Sequence, residues 1–202
     1  MLRPTVPCVF RFREKASIFL TELHPAQDGE ARAEILARIR KRDHDATHHC
    51  SAWRQGAPIL AQGQDDDGEP SGTAGAPMLK VLEGEGLTDV LAVCIRWFGG
   101  TKLGSGGLVR AYTEGVQGAI QEARMQGALE GIRILHSGSI TVPSEIAHLP
   151  FALLGAFPEA EITGQEFTGS CATLRFRIPP GREAEMDHAW RERSRGGTIV
   201  WE

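Results

Sequence analysis

Two glycine-dense loops hold most of the chemistry-bearing residues of this chain. The first is Asp65-Asp66-Asp67-Gly68-Glu69-Pro70-Ser71-Gly72-Thr73-Ala74-Gly75, with four carboxylates in five residues. That density suits a hard divalent cation such as Mg²⁺, which takes oxygen ligands, and Asp66 and Asp67 are the candidate positions. A solvated acidic loop explains the same residues, and the spacing does not match a calcium-hand loop. No resident metal or cofactor is therefore assigned. Ser71 and Thr73 can cap a following helix, which leaves open a capped connection or a ligand-contacting turn. The second loop is Phe98-Gly99-Gly100-Thr101-Lys102-Leu103-Gly104-Ser105-Gly106-Gly107, with Arg110 just beyond it. A strand, a glycine loop and a helix start, with Lys and hydroxyls interspersed, form a plausible anion cradle. The run is neither a Walker loop nor a dinucleotide fingerprint.

Arg110 early on a helix opposes the helix dipole. The residues leave two readings open, an anionic ligand or an internal pair with the Asp66/Glu69 cluster. His48-His49-Cys50 adds a third group. On a strand, His48 and Cys50 share one face and His49 takes the other. Two imidazoles fall short of a zinc site, which needs at least three protein ligands, so pocket or core histidines are expected. No partner set makes Cys50 a nucleophile, and neither GxSxG nor HExxH is present.

The elements that must position these loops follow from hydrophobic periodicity. Residues 6–13 and 16–23 alternate as strands, with Val9, Phe10, Phe12, Ile18, Phe19 and Leu20 as core candidates. Asp28 caps a helix to about Arg42, and 45–53 reads as a strand. Residues 63–75 are loop, and Pro77 starts a helix that ends near Gly84 or Gly86. Val90 to Ile95 is a continuous apolar run, hence an interior strand. A helix spans about Gly107 to Gln126. The character changes near Leu135 to Gly138, and residues 137–202 read β-α-β-β-α-β, a ferredoxin-like order. The expected domains are thus 1–136 and 137–202, in an α+β protein.

Composition narrows the class. The 202 residues are 41% hydrophobic and 24% charged with formal net charge −4, an ordinary globular balance without the overall basicity of many nucleic-acid binders. Cys8, Cys50, Cys94 and Cys171 are widely spaced, as expected of reduced, buried thiols. No signal core or membrane-length apolar run is present, so a cytoplasmic protein that does not engage membranes is expected.

Taken together, several segments resemble the Impact family, in the two-domain bacterial form of the YigZ type. They are Ser17-Ile18-Phe19, Ala46-Thr47-His48-His49-Cys50, Asp66 to Gly75, and Phe98 to Leu108 with Ala111-Tyr112. The resemblance covers about residues 15–125. It implies a first domain like the second domain of ribosomal protein S5 and a ferredoxin-like second domain similar to one of elongation factor G. Eukaryotic relatives act in translational control. The resemblance therefore implies a non-catalytic module that binds RNA, the ribosome or a translation-linked protein. In that reading Arg96, Lys102 and Arg110 meet phosphates with Thr101, Ser105, Ser71 and Thr73. Asp66, Asp67, Glu69, His48 and His49 form the polar remainder of the cleft. Trp53 and Trp97 stand at or near aromatic slots where the family often has Tyr, and they either stack on bases or fill the interior. The competing reading is a Mg²⁺-dependent enzyme acting on a phosphorylated small molecule or nucleotide.

Overall fold

A computed structural model describes residues 1–202, which divide into two compact units, Met1–Ile132 and Arg133–Glu202. His136, expected at the end of the first domain, instead opens the first strand of the second unit.

The first unit runs β1 (Leu2–Pro4), β2 (Cys8–Glu14), β3 (Ser17–Pro25), α1 (Gly29–Arg42), β4 (His48–Gln55) and β5 (Ala61–Asp65). It continues α2 (Gly75–Gly84), β6 (Val90–Trp97), α3 (Ser105–Met125) and β7 (Leu129–Gly131). Five strands form an antiparallel sheet in the order β2-β3-β6-β4-β5, and β1 pairs separately with β7. The centre of the sheet is β6, whose Val90 to Arg96 are all buried. Its apolar run is continuous because both faces are covered. Ala92 and Cys94 pack toward α2 and α3, while Leu91, Val93 and Ile95 pack toward Ile35 and Ile39 of α1.

The helices follow their apolar stripes. In α3, Leu108, Ala111, Tyr112, Val116, Ala119, Ile120 and Ala123 are buried at helical spacing. Asp28 caps α1, its side chain accepting from the Ala31 N–H at 2.8 Å.

Four details depart from the sequence reading. Ala61–Asp65 is an edge strand, although three of its five residues fall in the expected loop 63–75. Its Ala-Gln-Gly-Gln-Asp run has no alternation to reveal it, and backbone pairing with β4 makes it a strand. The short β1 and β7 were missed for a similar reason, since three residues carry no period. Helix α2 begins at Gly75, so Pro77 lies within its first turn, where a missing N–H is tolerated. Val9, a core candidate, is 47% exposed on the edge strand β2.

The second unit runs β8 (His136–Pro143), a 3₁₀ turn (Ser144–Ile146), α4 (His148–Leu154), β9 (Glu161–Thr168), β10 (Cys171–Ile178), α5 (Glu183–Ser194) and β11 (Val200–Trp201). Its four strands are antiparallel in the order β11-β8-β10-β9. Ile140, Leu174, Phe176, Met186 and Trp190 form its core. Cys8, Cys50 and Cys94 are buried as expected, whereas Cys171 at the start of β10 is exposed.

Candidate functional site

β4 and β6 bring the site together from the floor up. Their register pairs His48 with Arg96 and Cys50 with Cys94, on the face toward α3. The first glycine loop returns over this face and delivers Glu69. The Glu69 side chain is only 3% exposed, and its Oε1 accepts from Arg96 Nη1 at 2.6 Å and from the Tyr112 hydroxyl at 2.7 Å. Arg96 Nη2 donates to Ser17 Oγ at 3.2 Å, and the guanidinium lies between the rings of Phe19 and Phe98. The Cys50 thiol lies 3.0 Å from the Asp66 carbonyl and 3.3 Å from the Tyr112 oxygen, and its single proton can go to either. Burial pushes the Tyr112 phenol and the Cys50 thiol far up, and lifts Cys94 to about 12. Tyr112 and Cys50 serve as donors, whereas Cys94 accepts from the Thr21 hydroxyl at 3.2 Å, and burial disfavours the thiolate at both cysteines.

The acidic loop is held by the protein itself. Asp66 reaches the start of α2, where its carboxylate accepts from the N–H groups of Gly72, Ala74 and Gly75 at 2.8, 3.0 and 2.8 Å. Burial raises its pKa, but these three donors outweigh that effect and hold the group below the usual carboxylate range. Asp67 accepts from Arg40 Nη2 at 2.7 Å and from the His49 backbone N–H at 2.6 Å. The oxygens proposed as Mg²⁺ ligands at Asp66 and Asp67 are therefore occupied by N–H donors. The expectation that Ser71 and Thr73 cap α2 is corrected as well. Asp66 caps it from outside the local sequence, while Thr73 Oγ1 donates to the Pro70 carbonyl at 2.6 Å and Ser71 is exposed.

His48 and His49 point to opposite faces. His48 Nδ1 lies 2.9 Å from the Asp67 carbonyl, which can only accept, so Nδ1 carries the proton and Nε2 is bare in the neutral ring. That Nε2 lies 3.9 Å from Glu69 Oε1. The His49 ring is buried with Nε2 unpartnered.

The second loop forms the other wall. Gly99 packs directly on the β2–β3 turn, where an added Cβ would stand 1.8 Å from the Ala16 carbonyl oxygen. Phe98 N–H donates to Thr47 Oγ1 at 3.0 Å, which ties the loop to β4. Gly104 adopts φ 75°, a conformation that favours glycine, and no side chain caps α3. The first helical bond is Leu108 N–H to Gly104, so the N–H groups of Ser105, Gly106 and Gly107 precede the helix's own bonding. The Lys102 ammonium makes no ion pair, and Lys15 Nζ lies 3.5 Å from the Lys102 carbonyl.

A cleft of about 360 Å³ opens between these walls. It gathers His48, Glu69, Arg96, Lys102 and Ser105 of the expected site, together with Phe98 and Pro70. Thr101 is exposed, and Arg110 donates to the Gly106 carbonyl of its own helix at 3.3 Å, so it does not pair with Asp66 or Glu69. Arg96 is neutralised by Glu69 and so is no free phosphate-binding cation. Trp53 and Trp97 lie on the opposite sheet face with α1, where Arg32 stacks on Trp53 at 3.8 Å. Phe98 is the aromatic that lines the cleft instead. Its role, and those of Tyr112 and Ser17, were not read from the sequence. The register of β6 against β3 places Ser17 beside Arg96, the loop after β6 places Phe98, and the packing of α3 on the sheet brings in Tyr112.

Residues 15–120 match the Impact N-terminal domain. The chain is 36% identical over 199 residues to the IMPACT family member YigZ of Escherichia coli, covering 96% of this chain and 94% of YigZ. A crystal structure of a hypothetical protein, 33% identical, covers 99% of this chain and 95% of its own with a TM-score of 0.61. The two-domain translational regulator Yih1 is 26% identical over 59% of this chain and 46% of its own, with a TM-score of 0.34. No helix is long and apolar enough to cross a membrane. The matched domain takes in both glycine loops and every side chain that lines the cleft, and the likeness to YigZ runs on through the second unit: the chain belongs to the IMPACT family.

Proposed function

We propose that the chain is a non-catalytic binding module linked to translation, whose cleft takes the phosphate backbone of single-stranded RNA, free or presented by the ribosome. The observation that carries this reading is the uncapped start of α3. The uncapped turn, through Gly104 and Ser105, and an unpaired Lys102 border a cleft in which Arg96 and Glu69 neutralise each other. A helix start of this kind favours an anion by hydrogen bonding and by its dipole. In this reading the five-stranded unit is of the kind found in the second domain of ribosomal protein S5, and the β11-β8-β10-β9 order of the second unit supports a ferredoxin-like fold. Both fits are analogies of shape that agree with an RNA-facing role. The Mg²⁺-dependent enzyme reading is less well supported, because Asp66 and Asp67 already accept N–H donors.

The test is a fluorescence-anisotropy titration of short single-stranded RNA against the full chain across a range of KCl. Affinity falls with salt, with a log–log slope of about −0.7 for each phosphate engaged. Absence of salt-sensitive binding to any RNA or ribosomal fraction overturns the reading.

A further inference from the structure

We propose that this cleft distinguishes RNA from DNA by accepting a ribose 2′-hydroxyl on Oε2 of Glu69. The inference rests on the RNA reading and adds to it the chemistry that selects the sugar.

The cleft is polar in two different ways. Its α3 wall offers mainly donors, the Ser105 amide and Lys102, with the Ser105 hydroxyl able to donate or accept. Its floor offers acceptors. Oε1 of Glu69 is filled by Arg96 and Tyr112, while Oε2 receives no hydrogen bond from the protein. Beside it stands His48, whose Nδ1–H is committed to the Asp67 carbonyl and whose Nε2 is bare when the ring is neutral. A second unmet group lies in the same floor, since the Nε–H of Arg96 is buried without an acceptor. Glu69 and Arg96 are both more than nine-tenths buried and both line the cleft. The Arg96 Nε–H is sealed from solvent, whereas Oε2 of Glu69 is unbonded without being sealed, so Oε2 is the atom of the floor that a polar group can reach.

A bare phosphate satisfies the α3 wall and leaves Oε2 of Glu69 without a donor. A phosphate joined to a sugar hydroxyl satisfies both, the phosphate on the α3 wall and the hydroxyl donating to Oε2. The 2′-hydroxyl is the donor that RNA has and DNA lacks. The phosphodiester linkage stays intact, so no reaction is implied. Leaving the carboxylate oxygen undonated in the DNA complex weakens binding by about tenfold.

The experiment titrates the full chain with one sequence in three forms: RNA, DNA and 2′-O-methyl RNA. The expected result is about tenfold tighter binding of RNA than of either other form, because methylation removes the donor while keeping the oxygen. In Glu69→Gln, the amide retains an acceptor for Arg96 and Tyr112 and lets the NH₂ take the place of Oε2. The 2′-hydroxyl can accept from that NH₂, and so can the ether oxygen of 2′-O-methyl RNA, so the preference for RNA over 2′-O-methyl RNA is lost in the variant. Lys102→Ala weakens RNA and DNA alike and preserves their ratio. Equal, salt-sensitive binding of all three oligonucleotides by the wild-type chain overturns this inference and leaves the RNA-binding reading standing. So does a ratio of RNA to 2′-O-methyl RNA affinity unchanged by Glu69→Gln. Loss of salt-sensitive binding to every form removes the reading and the inference together. The wild-type comparison needs no variant, so a Glu69→Gln chain that folds poorly does not weaken the test.

Discussion

The two glycine loops look alike in sequence and behave as opposites in the structure. The first is closed. Asp66 takes three backbone donors, Asp67 takes an arginine and an amide, and Glu69 takes Arg96 and Tyr112. The second is open. Lys102 has no ion pair, no side chain caps α3, and Arg110 folds back on its own helix. The acidic loop thus acts as a clamp that builds the floor of the cleft, and the lysine-bearing loop keeps its donors for something else. Density of charge in a sequence marks where chemistry is concentrated. Whether that chemistry is already satisfied decides whether it is structural or available.

The comparison breaks first at the buried pair. Arg96→Ala leaves Glu69 buried and uncompensated, and should lower stability by about 3–5 kcal/mol in urea denaturation. A loss under about 1 kcal/mol would mean the first loop is not the clamp described here. Asp66→Ala removes the acceptor for three N–H groups and should cost about 1–3 kcal/mol. This contribution has a pH signature. The folded carboxyl titrates below its ordinary value near 4, so the stabilisation is present above about pH 4 and is lost as pH falls through the folded value. The gap in urea midpoint between wild type and Asp66→Ala should accordingly narrow below about pH 4. A gap that stays constant into acid would place the effect elsewhere than in the charged carboxylate.

The open loop should respond in the other way. Lys102→Ala is expected to leave the thermal midpoint unchanged and to reduce the salt slope of RNA binding by about 0.7. A large stability loss would show that Lys102 is paired after all. Arg110→Ala should do least, within about 0.5 kcal/mol in stability and with RNA affinity nearly unaltered. A marked loss of affinity there would extend the binding surface along α3 beyond the cleft.

Much of the frame was legible from local pattern. The buried run of β6, the Asp28 cap and stripe of α1, and the alternation of helices and strands in the second unit are each written in residues a few positions apart. The opposed faces of His48 and His49 also followed from strand geometry alone. Elements held by long-range pairing were not legible. β5 has no apolar alternation, and β1 meets β7 from the far end of the unit. The capping of α2 was assigned to its nearest hydroxyls, Ser71 and Thr73, because the actual acceptor lies several residues upstream across a turn.

Local pattern alone marks Asp65–Gly75 and Phe98–Gly107 as turns rich in charge and glycine, each leading into a helix, because glycine, proline and short polar residues act on their own backbone. Which charges cancel is settled by the fold. Arg96 meets Glu69 from 27 residues away because β6 presents it on the α3 face just where the acidic loop crosses, in surroundings that exclude water and make pairing obligatory. Lys102 stays on the exposed rim of the cleft, where water solvates it and nothing compels a partner.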